Sequence, residues 1–185
     1  MDKVGMNAEL RQRAGRVKLL LMDVDGVLTD ARLINVPGPD GVIFESKAFD
    51  AQDGIALQWL SWFGIDTGVI SGRISAATDA RAKQVGMKYV YQGHIEKIPI
   101  LDEIRTVSGL QPEQIAYCGD DLTDIVVMRR VGLAFAPANA RPEVKRAAHH
   151  VTEATGGRGA VREICEILLE AHGHWADILK KYEVD

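Results

Sequence analysis

Long apolar runs are missing from this chain, and no segment approaches the roughly 20 apolar residues that a membrane-spanning helix needs. The stretch Met1 to Arg16 is polar and charged, without the apolar centre of a secretion signal. Cysteine is scarce: Cys118 ends an apolar run, Cys165 sits on the apolar face of a helical pattern, and the two have no metal-type spacing. Buried free thiols are therefore expected rather than a disulfide, and with them a reducing, cytoplasmic setting. A basic excess is missing too. The 22 Lys and Arg are outnumbered by 26 Asp and Glu, for a net charge of -4. That argues against nucleic acid or an anionic membrane as the main partner. No internal repeat, low-complexity segment or linker interrupts the 185 residues, so a single domain over 1–185 is expected.

What is present is an alternation of short apolar runs with helical patterns. This is the signature of an α/β fold with a Rossmann-like, mostly parallel sheet between helices. Val17 to Met22 reads as a central strand, apolar on both faces. Further strands are expected at Thr67 to Ile70, Tyr89 to Tyr91, Ile115 to Cys118, Leu133 to Phe135 and His150 to Thr152. Helices are expected at Gly54 to Phe63, Ser75 to Val85, Ile98 to Val107, Leu122 to Arg130, Pro142 to Ala148 and Ala160 to Ala171. The turn cluster Pro37-Gly38-Pro39-Asp40-Gly41 predicts a β-hairpin inserted at about 31–49. Residues 173–185 read as a polar tail with one tryptophan.

The chemistry lies where carboxylates follow buried runs. Asp23-Val24-Asp25-Gly26 follows the first strand, and Gly119-Asp120-Asp121, with Asp124 behind, follows Ile115 to Cys118. Parallel strands in open α/β sheets end at the ligand crevice, so Asp23 and Asp25 can face one space. Alone, the first quartet is better read as an Asx turn, and the second set as helix capping. Together they are not, because capping does not explain two carboxylate sets at equivalent strand ends. Without a cation they would repel strongly, and Mg²⁺ suits such oxygen ligands. A carboxylate beside such a cation can attack phosphorus, while its neighbour handles the proton. Ser71-Gly72-Arg73 follows another strand and can bind phosphate oxygens. Lys97 opens a helix and can neutralise both nucleophile and phosphoryl group. Singly, the serine would be an N-cap and the lysine a surface residue.

In this order the four pieces resemble the haloacid dehalogenase superfamily of phosphohydrolases: D-x-D-G-V-L-T-D, I-S-G-R, a lone Lys, and G-D-D-x-x-D. The resemblance covers about residues 17–172. It implies Asp23 as nucleophile, Asp25 as general acid and base, and Ser71, Gly72 and Lys97 at the phosphate. Mg²⁺ would sit on Asp23, the Asp25 carbonyl and Asp120, with Asp121 and Asp124 in support. No stretch is long enough for a cap domain. Further pieces, K-A-F-D-A-Q-D-G, Y-Q-G before Lys97, Y-C-G-D-D-L-T-D and G-G-R-G-A-V-R-E, are similar to the 3-deoxy-D-manno-octulosonate 8-phosphate phosphatase family. That resemblance implies a phosphorylated sugar acid as substrate, a homotetramer built through the hairpins, and a C-terminal segment that helps close a site. It also implies Arg73 and Arg158 at the substrate's anionic groups, with Asp53 near the entrance. Gln52 departs from the Arg usual in that family, which leaves open a nine-carbon keto-sugar acid 9-phosphate instead. A non-catalytic subunit that keeps the fold, and a phospho-acceptor receiver domain, are weaker alternatives.

Overall fold

Four consecutive buried side chains, Leu19–Met22, form the strand β1 on which the architecture is built. The computed structural model describes residues 6–184. The opening residues of the polar stretch 1–16 and the last residue of the tail lie outside that range. Strands β2 (Ile34–Pro37) and β3 (Ile43–Ser46) form a separate antiparallel hairpin. The remaining strands are β4 (Asp66–Ile70), β5 (Tyr89–Tyr91), β6 (Ile115–Cys118), β7 (Leu133–Ala136) and β8 (His150–Val151). Main-sheet order is β5-β4-β1-β6-β7-β8, with every neighbouring pair parallel. The chain runs outward from β1 on one side through β4 and β5, then returns to build β6, β7 and β8 on the other. The order reverses at β1, so the crevice falls beyond the carboxyl ends of β1, β4 and β6.

Alternation along β1 sends its side chains to two cores. Leu20 and Met22 join the apolar cluster that includes Leu57, Leu60, Val161, Ile164 and Leu168. These belong to α2 (Ala51–Trp62) and α7 (Ala160–Ala171). Leu19 and Leu21 face the other cluster, with Leu101 and Ile104 of α4 (Ile98–Ser108), Val127 of α5 (Ile125–Met128) and Val144 of α6 (Pro142–Ala147). The expected two-faced burial of a central parallel strand is what the structure has. Between β1 and β4 the chain contributes only the hairpin and α2. Among the described residues no cap domain covers the crevice. Among the described residues no helix is long and apolar enough to cross a membrane.

Four details differ from, or add to, what the sequence predicts. The polar N-terminal stretch contains α1 (Ala8–Ala14), whose start is capped by Asn7 and whose Leu10 and Ala14 are buried. The expected helix 122–130 is a 3₁₀ turn at Leu122–Asp124 followed by the short α5, because Asp124 turns its side chain back onto the loop before it. The polar tail at 173–185 contains a further helix. After α3 (Ala76–Val85) and the elements above, the fold ends in α8 (Trp175–Lys181), which docks on the protein's own core. Ile178 is buried, Trp175 lies 6.1 Å from the Trp59 ring, and the Trp59 indole N–H donates to the Tyr182 hydroxyl at 3.3 Å. Helix α2 also begins three residues earlier than expected, since Asp50 accepts from the N–H groups of Gln52 and Asp53.

One close approach joins the C-terminal half to the loop after β1. Asn139 donates to the Gly26 carbonyl at 2.9 Å and accepts from the Gly156 N–H at 2.6 Å. Gly157 N–H donates to the Val27 carbonyl at 2.9 Å. A Cβ at Gly156 would collide with the backbone of Gly26, which cannot yield as a flexible side chain would. We expect Gly156→Ala to cost about 3 kcal/mol, seen as a melting temperature lower by roughly 6–12 °C. An unchanged melting curve would show that these two loops are not in contact.

Candidate active site

The site is assembled from residues that continue the strands past their ends. Asp23 extends β1 by one ladder bond, its N–H donating to the Cys118 carbonyl at 2.9 Å. Val24 is fully buried and its carbonyl receives the N–H groups of Leu28 and Thr29 at 2.9 and 3.1 Å. This tight turn leaves Asp23 and Asp25 on the same side. Gly26 has φ 92°, and a Cβ there would run into the Asp120 carboxylate, so only glycine lets the two acidic loops meet.

Asp23, Asp25, Ser71, Arg73, Lys97 and Asp120 line one open cavity of about 270 Å³, with Gly72 also on its wall. Lys97 is 2% exposed. Its ammonium donates to Asp124 Oδ1 at 2.7 Å and to the Tyr117 hydroxyl at 3.0 Å, and it lies 3.0 Å from Asp23 Oδ1. Tyr117 in turn donates to Asp124 Oδ1 at 2.7 Å. The other Asp124 oxygen accepts the N–H groups of Asp120 and Asp121 at 2.9 and 3.1 Å. Fully buried Asp124 thus fixes both the lysine and the second acidic loop. Ser71 is buried, and its hydroxyl oxygen accepts from the Arg73 N–H at 3.2 Å.

The electrostatics are those of a site with too much negative charge. Burial raises Asp23 to about 6; Lys97 pulls it back down and Asp124 pushes it up. Burial, then Asp23 and Asp124, raise Asp120 to about 7. Burial works against the Lys97 charge, but Asp23 and Asp124 outweigh it and hold the lysine above its ordinary range. Oxygens of Asp23, Asp120 and Asp124 lie within 4.8 Å of one another. Asp120 Oδ1 is buried without a hydrogen-bond partner among the described residues. An all-oxygen donor set with an orphaned buried oxygen and uncompensated charge fits a hard divalent cation. Both Asp124 oxygens are committed, to Lys97 and to the loop, which leaves the second Asp23 oxygen and the Asp120 carboxylate as the available donors.

Two named residues are not brought to the cavity. Asp53 is buried in the first turn of α2, where its Oδ1 accepts from the Arg162 N–H at 2.7 Å at the start of α7. Arg158 is exposed on the loop before α7, with its guanidinium 3.8 Å from Asp30. Gln52 lies exposed in the first turn of α2. His149 and His150 serve structure: His149 Nδ1 accepts from the Ala134 N–H at 2.9 Å, and His150 lies 3.4 Å from Glu163. Both cysteines are free and buried. Lys47 and Tyr117 are additions. Tyr117 had a signal in the apolar run beside Gly119-Asp120. Lys47 opens the piece K-A-F-D-A-Q-D-G, but nothing in that piece points to its partner Asp25, which lies across the whole hairpin.

Strand ends carrying two acidic sets, a buried lysine and a serine around one cavity define a hydrolase of the phosphoryl-transfer kind. The chain belongs to the haloacid dehalogenase-like hydrolases, whose family model matches residues 72–164. Within that class it is similar to 3-deoxy-D-manno-octulosonate 8-phosphate phosphatases. It is 42% identical over 160 residues to the enzyme of Yersinia pestis, covering 86% of this chain and 83% of that one. It is 38% identical over 168 residues to the enzyme of Escherichia coli K12, covering 91% and 87%. Its fold matches the crystal structure of the Moraxella catarrhalis phosphatase in complex with magnesium ion, phosphate ion and KDO. There the TM-score is 0.89 and the identity 37%, over 94% of this chain and 98% of that one.

Asp53 offers a test of the burial that frames the site. Desolvation raises it to about 6 from the 3.8 of an exposed aspartate, opposed by the Arg162 N–H. The folded state therefore binds this proton more tightly than the unfolded chain does. Stability contributed by the group falls as pH rises from about 4 to about 6 and is level above that. Relative to Asp53→Asn, the wild-type protein should lose on the order of 3 kcal/mol across that window, measured by urea unfolding at each pH. Parallel stability curves would mean that Asp53 ionises as freely in the folded protein as in water.

Proposed function

We propose that this chain is a Mg²⁺-dependent phosphatase that hydrolyses 3-deoxy-D-manno-octulosonate 8-phosphate to the free sugar acid and phosphate, a step in lipopolysaccharide precursor synthesis. The observation that carries the reading is the convergence of Asp23, Asp25, Ser71, Lys97 and Asp120 on one uncapped cavity. The Asp23 carboxylate attacks phosphorus and forms an aspartyl-phosphate. As the ester P–O bond breaks, its electron pair stays on the alcohol oxygen, which takes a proton from Asp25. Asp25 then removes a proton from water, the water oxygen attacks the same phosphorus, and Asp23 is released with inorganic phosphate. Ser71, the backbone at Gly72 and the Lys97 ammonium hold the non-bridging oxygens. The Asp23 and Asp120 carboxylates with the Asp25 carbonyl would hold Mg²⁺, which supplies the charge neutralisation that brings an anionic nucleophile to an anionic phosphate.

Arg73 and Arg158 carry exposed guanidinium groups on the two loops beside the cavity and suit the sugar acid's carboxylate. Asp53 acts at a distance, by fixing the start of α7, rather than by touching substrate. Assembly as a homotetramer through the hairpin belongs to this reading. Val36, Val42, Ile43 and Phe44 are 47–59% exposed, an apolar patch that a neighbouring subunit would cover. The buried free thiols of Cys118 and Cys165 suit a reducing cytoplasm. The second reading, a nine-carbon keto-sugar acid 9-phosphate, is favoured by Gln52, which offers no fixed charge where the phosphatase family has Arg.

Phosphate release from eight- and nine-carbon acid phosphates, with and without Mg²⁺, tests these readings together. We expect the eight-carbon acid to be preferred, turnover to need Mg²⁺, and Asp23→Asn to lose at least about 10³-fold in kcat while keeping the wild-type melting curve. Preference for the nine-carbon acid would select the second reading. Phosphate release by Asp23→Asn at the wild-type rate would overturn the assignment of the nucleophile, and no release from any ester would leave a non-catalytic subunit.

A further inference from the structure

Lys47 is a buried cation that the reaction described above leaves without a role. It follows β3 at the base of the hairpin, and its side chain is 1% exposed. Its ammonium contacts Asp25 Oδ1 directly and lies 3.3 Å from Glu45 Oε1. Arg73 closes the set from the other side. Its guanidinium bonds the second Glu45 oxygen, and its Nε lies 3.7 Å from Asp25 Oδ2. Two cations and two carboxylates thus alternate around a ring. The ring ties the loop after β1 and the loop after β4 to the hairpin, which supplies both Glu45 and Lys47.

Within this ring the two oxygens of Asp25 are not equivalent. Lys47 holds Oδ1, with the Thr29 hydroxyl at 3.5 Å. Oδ2 is buried and has no hydrogen-bond partner among the described residues, although Asp25 lines the cavity. A carboxyl group anchored through one oxygen presents the other in a fixed direction, and proton transfer in a transition state demands that alignment. A lysine at full burial is costly unless something compensates it, and here the two carboxylates do so. Simple anchoring of the hairpin would need only the exposed Glu45–Arg73 pair.

We propose that Lys47 is a positioning residue for phosphoryl transfer, fixing Asp25 so that Oδ2 meets the oxygen of the leaving alcohol. The proposal rests on the phosphatase reading above and adds a role for the hairpin, whose base carries the group that aims the general acid. The step it governs is the first one. As the Asp23–P bond forms and the ester P–O bond breaks, the electron pair left on the alcohol oxygen takes the Asp25 proton. A nitrophenolate leaving group accepts that electron pair without needing a proton.

The test compares kcat/KM for a primary alkyl phosphate and for para-nitrophenyl phosphate in the full-length wild-type protein and in Lys47→Met, with Mg²⁺ present. For a reaction through a phosphoenzyme, kcat/KM reports only the steps up to its formation, so the later attack of water does not enter. We expect Lys47→Met to lose about 100-fold on the alkyl ester and less than about 3-fold on the aryl ester. Equal losses on both esters, or no loss on either, would overturn the proposal and leave Lys47 as a hairpin anchor. Both esters are read in one preparation, so a partly unfolded variant lowers both rates but not their ratio. If the Met variant does not fold, Lys47→Gln keeps one donor toward Asp25 and should show the same bias at smaller size; an unbiased loss there has the same contrary meaning. Wild-type hydrolysis of either ester tests the phosphatase reading separately, because failure of that reading would show before any variant is made.

Discussion

Lys97 buried among carboxylates is the interaction on which the rest of the site depends. Its ammonium lies within 3.0 Å of both Asp23 and Asp124 and is almost fully screened from water. One positive charge there offsets part of the repulsion between the acidic sets at the ends of β1 and β6. Removing it would leave buried carboxylates uncompensated, an outcome worth several kcal/mol. The lysine does not suffice alone, since Asp23 and Asp120 both remain raised into the range of 6 to 7. The deficit that remains is the physical case for a divalent cation. It is also why the same cluster suits a phosphate, which brings further negative charge and needs the same compensation.

A second layer of charge surrounds the first. Asp25 lies between Lys47 and Arg73, and both reach it from segments that are distant in sequence. The hairpin is therefore part of the site at its base and an exposed apolar surface at its tip. Anything that shifts the hairpin would act on Asp25 through Lys47. At the far side, the Gly156–Gly157 loop packs on the turn that carries Asp25 and Gly26, held by Asn139. Asp53 supports the start of α7 behind it. The turn after β1 is thus braced from both sides without a cap domain.

Much of this was legible in the order of residues, for physical reasons. A central parallel strand is buried on both faces, so Leu19–Met22 shows as a continuous apolar run, and Asp23 stands out where the run stops. Asp120, Ser71 and Lys97 are found by the same rule of strand ends and helix starts. What stayed hidden depends on contacts rather than on periodicity. The partners Lys47 and Asp25 are 22 positions apart across a hairpin whose geometry no pattern specifies. Helices α1 and α8 are two turns long, too short to display an apolar stripe, and α8 is held by rings at Trp59, Trp175 and Tyr182. Asp53 and Arg158 were placed at the substrate by resemblance alone. In the structure Asp53 sits in the first turn of α2 with its carboxylate on the Arg162 N–H of α7, and Arg158 is exposed on the loop before α7.

The central claim is that the two acidic loops meet to hold a cation that Lys97 cannot replace. Calorimetric titration of Mg²⁺ into the wild-type protein and into Asp120→Asn tests it without reference to turnover. Asp120 has a buried, unpartnered oxygen, so its loss should remove the site rather than unfold it. The account predicts one Mg²⁺ per chain for the wild-type protein and binding weaker by at least about tenfold for the variant. Equal Mg²⁺ affinity in the two proteins, or no binding to either, would contradict it.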